Sequence, residues 1–262
     1  MRTDTLPTIS RHDYQPYPYQ IDQVRLEFDL AAEQPLVRLA FRARSRDGQI
    51  QPLVLDGEDI ELLEVSLDGN LVSPQDYLLN DQGLTLSPPA AEFDLVLVSR
   101  CRPQENTMLM GLYVSGNSLF TQCEAQGFRR ITFFPDRPDV MSRYEVVLRG
   151  DATLYPYLLS NGNLLESTTL DDGRKQAVWE DPFPKPSYLF ALVAGDFDVR
   201  EREIKKTNGQ PALLQVYCDR GDGDKTEWAM QCLEQSVRWD EQRFGLAVDL
   251  DRFMVVAARA FN

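Results

Sequence analysis

Between Thr121 and Val140 the chain reads TQCEAQGFRRITFFPDRPDV, and no other stretch gathers as many groups able to do chemistry. Gln122 and Glu124 alternate with Thr121 and Cys123, so in an extended segment the amide and the carboxylate project from one face. An anion beside an amide acceptor can hold an ammonium group by charge-assisted hydrogen bonds. A plainer use of the same residues pairs Glu124 with Arg129 or Arg130 in a loop. Further on, Asp136, Arg137 and Asp139 could act as acid/base carboxylates around a cation. The prolines at 135 and 138, with fixed φ and no amide hydrogen, make a structural ion-pair corner the better reading, and no metal-ligand spacing accompanies these residues. Cys123 has no base beside it and reads as an inert, packed thiol.

Histidine content narrows the chemistry further. The 262 residues hold one histidine, His12. A Cys-His or Ser-His-Asp arrangement could use only that residue, and a zinc site with two histidines cannot be built from this chain. Four cysteines, Cys101, Cys123, Cys218 and Cys232, are widely spaced without a CxxC pair, which suits reduced structural thiols. The 27 Lys and Arg stand against 41 Asp and Glu, a net charge of -14 that disfavours nucleic acid and anionic membrane as partners. No apolar run approaches the ~18 residues of a membrane span, and the polar residues after Met1 leave no signal-peptide core. The expectation is a cytoplasmic protein.

The elements that must position the central stretch are mostly strands. Val24, Leu26, Phe28 and Leu30 alternate with charged residues, and after a turn at Ala31 to Pro35 the alternation resumes at Val37, Leu39, Phe41 and Ala43. These are antiparallel partners, with arginines of the second facing acids of the first. Tyr14, Tyr17 and Tyr19 anchor an N-terminal arm. From Leu53 to Val98 short apolar runs recur between turn signals, which predicts an antiparallel β-sandwich or saddle-shaped sheet. Ile131 to Phe134 reads as a buried strand or its approach, Arg143 to Leu148 as a strand, and Tyr188 to Val193 as a buried strand. The DPFPKP run at Asp181 to Pro186 reads as a stiff connector, neither helix nor central strand. Beyond Gly195, Leu213 to Cys218 and Phe253 to Ala258 are strands flanking a helix over about Lys225 to Phe244. That helix has Asp224 and Glu227 as a capping box, Met230, Leu233 and Val237 as its apolar stripe, and Gly245 as its stop. Trp228 and Trp239 are expected in the core or at a domain interface.

The central stretch is similar to the TQCEAxGFRxIxxxxDRPDV segment of the bacterial aminopeptidase N group of zinc aminopeptidases. RHDYQPYPYQI, LLSNG at Leu158 to Gly162, DPFPKPSYLFALVAGDFDV at Asp181 to Val199 and WAMQCLEQSVRWDEQRFGL at Trp228 to Leu246 resemble the same group in the same order. The resemblance implies a mainly β fold: a β domain over residues 1–195, then the small β-α-β start of a thermolysin-like catalytic domain over 196–262. It implies that Gln122 and Glu124 bind the α-amine of peptide N-termini. It also implies zinc in the full-length enzyme and none in this chain, which lacks the GAMEN and HExxH segments and should be inactive without the remaining catalytic and C-terminal domains. The residues ARA at 258–260 approach the missing segment differently and leave a divergent homologue open. The alternative is a stand-alone β-sandwich peptide-binding or interaction protein; a carboxylate glycoside hydrolase would need a facing acid pair that the sequence does not offer. A fragment should leave the Trp-bearing helix and Leu246 to Asn262 with an exposed apolar face, which a complete protein would cover.

Overall fold

The computed structural model describes residues 10–30 and 34–258. The turn expected at Ala31 to Pro35 and the ARAFN end fall largely outside them. Strands are numbered β1 to β19 in chain order. The large sheet runs β14 (Asn163–Thr169), β15 (Arg174–Lys185), β12 (Ser142–Asp151), β2 (Gln23–Asp29), β3 (Leu36–Ser45), β9 (Glu92–Arg100), β5 (Glu61–Leu67) and β6 (Asn70–Leu71), with β1 (Tyr19–Gln20) added to β3. Every pairing in it is antiparallel except β12 with β2. The mainly β architecture anticipated from the alternation is what the chain adopts.

The first hairpin shows how pattern becomes packing. In β2 the residues Val24, Leu26 and Phe28 are fully buried, and Val37, Leu39 and Ala43 of β3 meet the same core. Each such Val, Leu or Phe side chain stabilises the fold by roughly 1.5–3 kcal/mol on burial, and the Ala43 methyl by less. On the outer face Glu27 lies in register with Arg38 and is reached by Arg25 at 3.0 Å, Arg149 at 3.1 Å and Arg38 at 3.6 Å. Arg42 and Arg44 instead turn to Glu92 on β9. The acids of β2 therefore hold only part of the arginine row.

Two small sheets flank the large one. Strands β4 (Leu53–Asp56), β8 (Gly83–Leu86) and β7 (Tyr77–Asn80) form one, and β10 (Gly111–Ser115), β11 (Ser118–Gln122), β16 (Leu192–Gly195) and β13 (Tyr157–Ser160) form the other. A third, of β17 (Phe197–Lys205), β18 (Pro211–Asp219) and β19 (Arg252–Ala257), carries the helix α1 (Glu227–Phe244). Strands β18 and β19 are parallel, so α1 is the crossover of a β-α-β unit. Its own small core of Ile204, Ala212, Leu214, Val216, Met230 and Val237 is separate from the main one.

Four local expectations are corrected. Ile131 to Phe134, read as a buried strand or its approach, is buried but is not itself a strand; only Phe134 pairs, in an isolated bridge to Asp56. The expected strand at Tyr188 to Val193 is split into a 3-10 turn at Ser187–Leu189 and β16. The DPFPKP run is not a connector, because β15 continues through it to Lys185. Its prolines fall in a register shift between the Tyr144–Asp181 and Ser142–Lys185 pairs, past the last β14 partner at Glu180. On that side no neighbour needs their missing amides. Finally, α1 begins two residues later than expected, after a 3-10 turn at Gly223–Thr226, and Asp224 makes no cap. Arg200 takes its place in organising this end, bonding Thr226 Oγ1, the Gly223 carbonyl and Glu227. Gly245 does end the helix, in the left-handed region at φ 68°, with its amide donating to the Glu241 carbonyl.

Candidate functional site

The hairpin of β10 and β11 delivers the central stretch. Gln122 is the last residue of β11, opposite Gly111. The inward residues Thr121 and Cys123 are 8% and 2% exposed, whereas Gln122 is half-buried and Glu124 is exposed. The alternation thus carries past the strand end, and both polar residues point away from the core. Thr121 is fixed by Leu192, whose amide donates to its hydroxyl at 2.8 Å and whose carbonyl accepts from it at 3.2 Å.

The loop that follows turns on a close backbone approach. The Gly127 amide donates to the Cys123 carbonyl at 2.8 Å. A Cβ on Gly127 would lie 2.1 Å from the Gln122 carbonyl oxygen and 2.9 Å from the Gly111 nitrogen, so only glycine fits. The amide nitrogen of the Gln122 side chain donates to the Glu124 carbonyl at 3.1 Å.

The arginines downstream are occupied elsewhere. Arg129 binds Asp136 at 3.1 Å and Asp56 at 3.5 Å; Arg130 binds Glu58 and Asp59. Among the described residues Glu124 has no ion pair, which overturns the plainer reading of it as a partner of Arg129 or Arg130. The signal that would have shown this is not local, since the competing carboxylates lie about seventy residues earlier in the chain.

The Pro-bracketed corner is structural. Asp136 is a buried acceptor for Ser187 Oγ, the Arg129 amide and Arg129 Nε. Asp139 accepts from Arg137 at 2.8 Å and from the Tyr17 amide at 2.8 Å. Burial opposes ionisation of Asp139, but these hydrogen bonds outweigh it and hold the carboxyl below its ordinary range. Tyr17 and Tyr19 are buried anchors, while Tyr14 is 55% exposed and lies under the Arg137 guanidinium. Burial pushes the Cys123 thiol well above its ordinary value, as an inert cysteine requires. Sequence reading missed Ser187 and Asp56 as holders of this corner.

Other features stand apart from Gln122 and Glu124. An opening of about 720 Å³, lined by Asp59, Glu61, Asp81, Glu105 and Arg102 among others, includes neither residue. A cleft of about 280 Å³ lies between Leu159 and Val193 on one side and Phe253, Met254 and Val256 of β19 on the other. Phe253, Val255 and Leu246 are 44%, 36% and 73% exposed. Trp228 and Trp239, expected in the core or an interface, are 70% and 59% exposed because the buried stripe of α1 is Met230 and Val237 on its other side. No described helix is long and apolar enough to cross a membrane.

Comparison with known proteins agrees with the motifs. The chain is 45% identical over its whole length to aminopeptidase N of Caulobacter vibrioides and 44% identical, over 96% of its length, to aminopeptidase N of Escherichia coli. It spans 30% and 29% of those relatives' own lengths. Among solved structures, Legionella pneumophila aminopeptidase A in complex with aspartic acid superposes with a TM-score of 0.88 at 31% identity, over 94% of this chain and 29% of that one. The Peptidase M1 N-terminal domain model matches residues 53–189, just over half of the chain, and the chain belongs to that family.

Proposed function

We propose that this chain is the N-terminal, non-catalytic portion of a zinc aminopeptidase, and that Gln122 and Glu124 accept hydrogen bonds from the α-ammonium of a peptide N-terminus. One observation supports the site above the rest. Half-buried Gln122 and exposed Glu124 follow one another at the end of β11, bridged by the Gln122 side-chain nitrogen and the Glu124 backbone carbonyl, with Arg129 and Arg130 committed to other acids. A cation from outside the chain is the complement of such a pair.

On this reading residues 1–195 are the β domain, and 196–262 open the catalytic domain. The open side of β19, with Phe253 and Val255, is where the rest of the parent protein packs. The residues present do not fit a zinc centre: His12, the single histidine, sits exposed on a short 3-10 turn. Among the described residues no three His, Cys, Asp or Glu side chains are gathered for a metal. The zinc and the general base of the family reaction therefore belong to the remainder of a longer, cytoplasmic enzyme.

Titration of the ¹⁵N-labelled chain with L-leucinamide, and separately with its N-acetylated form, tests the site. Signals of the Gln122 side chain and of residues 124–127 should move with the free amine alone. Half-saturation near ~10 mM is expected from about 3 kcal/mol of charge-assisted bonding. Glu124→Gln should remove the effect. Equal shifts with both ligands, or none from the free amine, would overturn the assignment.

A further inference from the structure

We infer that Thr121 is the positioning residue of the amine site: its hydroxyl fixes the end of β11, and with it the placing of Gln122 and Glu124, against the first residue of β16. The inference rests on the reading of Gln122 and Glu124 as an amine site and adds to it what holds them in place. Among the described residues the ladder between β11 and β16 joins only Leu119 to Ala194 and Phe120 to Val193. The next position along would set Thr121 against Leu192, and there the backbone pairing stops. The Leu192 amide donates instead to Thr121 Oγ1 at 2.8 Å, and the Leu192 carbonyl accepts from that hydroxyl at 3.2 Å. One side chain thus answers both main-chain groups that a strand neighbour would otherwise meet.

The anchor is itself firmly held. Leu192 is fully buried and pairs on its other side with Ser160 of β13. The Ala191 carbonyl accepts from Ser160 Oγ at 2.8 Å, and the Ala191 amide donates to Asn161 Oδ1 at 2.6 Å. At the other end of this segment Ser187 donates to Asp136. The end of β11 is held less. Thr121 is tied on both sides, to Leu112 of β10 through the ladder and to Leu192 through its hydroxyl. Among the described residues Gln122 keeps Gly111 as its single strand neighbour, and exposed Glu124 lies beyond the strand.

The residue type suits this task. A β-branched side chain fits a strand, and at 8% exposure the Thr121 hydroxyl is screened from water that could replace it. Valine has nearly the same shape with neither donor nor acceptor. Thr121→Val therefore leaves the Leu192 amide and carbonyl without their partner in the core, where unpaired polar groups are costly. They regain water only if β11 parts from β16, and that parting moves Gln122 first. Because the Gln122 side-chain nitrogen is bonded to the Glu124 carbonyl at 3.1 Å, Glu124 moves with it. A core substitution that costs stability without touching β11 leaves the pair where it is.

Titration of the ¹⁵N-labelled 262-residue chain with L-leucinamide separates placement from stability. Thr121→Val should raise the half-saturating concentration roughly fivefold or more, read at a temperature where circular dichroism shows the variant folded. Thr121→Ser, which keeps the hydroxyl, should stay within about twofold of the parent. If Thr121→Val does not fold, Thr121→Ala carries the same test in the same direction. Ser142→Ala, which removes a buried hydroxyl bonded to the Ile21 carbonyl on a distant strand, should lower stability and leave half-saturation unchanged. Equal affinity in Thr121→Val and the parent overturns the inference and leaves the amine site standing. So does a loss that Thr121→Ser or Ser142→Ala shares. No movement of the Gln122 and 124–127 signals in the parent overturns the amine reading and this inference together.

Discussion

Removing the carboxylate of Asp136 should loosen the corner that carries the candidate loop. Its side chain is 1% exposed. One oxygen accepts Ser187 Oγ at 2.5 Å; the other accepts the Arg129 amide at 3.2 Å and Arg129 Nε at 3.1 Å. Its own amide donates to Asp56 at 3.0 Å. In Asp136→Ala these side-chain donors lose their acceptor, and Arg129, 18% exposed, keeps Asp56 at 3.5 Å and the backbone carbonyl of residue 136 at 3.1 Å. Breaking a buried pair from one side costs ~3–5 kcal/mol, so about 4 kcal/mol is expected, with Asp136→Asn losing about half of that. Urea unfolding followed by circular dichroism measures both. In Arg129→Met with Asp136→Ala, the loss should fall short of the sum of the single losses by at least ~2 kcal/mol. Asp136→Ala within ~1 kcal/mol of the parent, or strict additivity with Arg129→Met, would refute this account of the corner.

Two further outcomes follow from burial and charge. Because Asp139 has its carboxyl held below the ordinary 3.8, its stabilisation is complete above that value and is lost as pH falls through the lower folded value. Asp139→Asn should therefore cost roughly 1–2 kcal/mol at neutral pH and progressively less in acid. A gap in thermal melting that stays constant or widens as pH falls would contradict this. At pH 8 the native chain should show one readily alkylated thiol, half-buried Cys232, since burial pushes Cys101 up to about 12 and Cys123 and Cys218 above their ordinary value. Mass-mapped labelling that finds Cys123 as fast as Cys232 would contradict the packing beneath Gln122 and Glu124.

Periodicity was a sound guide wherever one side of an element is wet and the other dry. The alternation at Val24 to Phe28 and at Val37 to Ala43 is visible in sequence because β2 and β3 each have one charged face. The stripe Met230, Leu233 and Val237 is visible for the same reason. Reading failed where long-range partners decide. Proline at 182 and 184 argues against a strand until the absence of a β14 neighbour beyond Glu180 is known. Ile131 to Phe134 has strand composition, but the preceding 3-10 turn at Phe128–Arg130 and the bridge to Asp56 hold it as irregular buried chain. The two exposed tryptophans break the rule that large aromatics are buried, and sequence carries no sign of which side of α1 the sheet covers until the rest of the stripe is placed. For the candidate site, the alternation that buries Thr121 and Cys123 and leaves Gln122 and Glu124 more exposed was legible. The freedom of Glu124 from the arginines was not, because Asp56, Glu58 and Asp59 arrive from a distant strand and its following turn.

The most direct test of the central claim is an assay of the purified chain on alanine and leucine anilides with added zinc, with bound metal measured in the same sample. The account predicts no turnover and no stoichiometric zinc, because one exposed histidine cannot build the centre. Turnover that co-purifies with zinc and disappears in Glu124→Ala would contradict it and would require a catalytic site within these 262 residues.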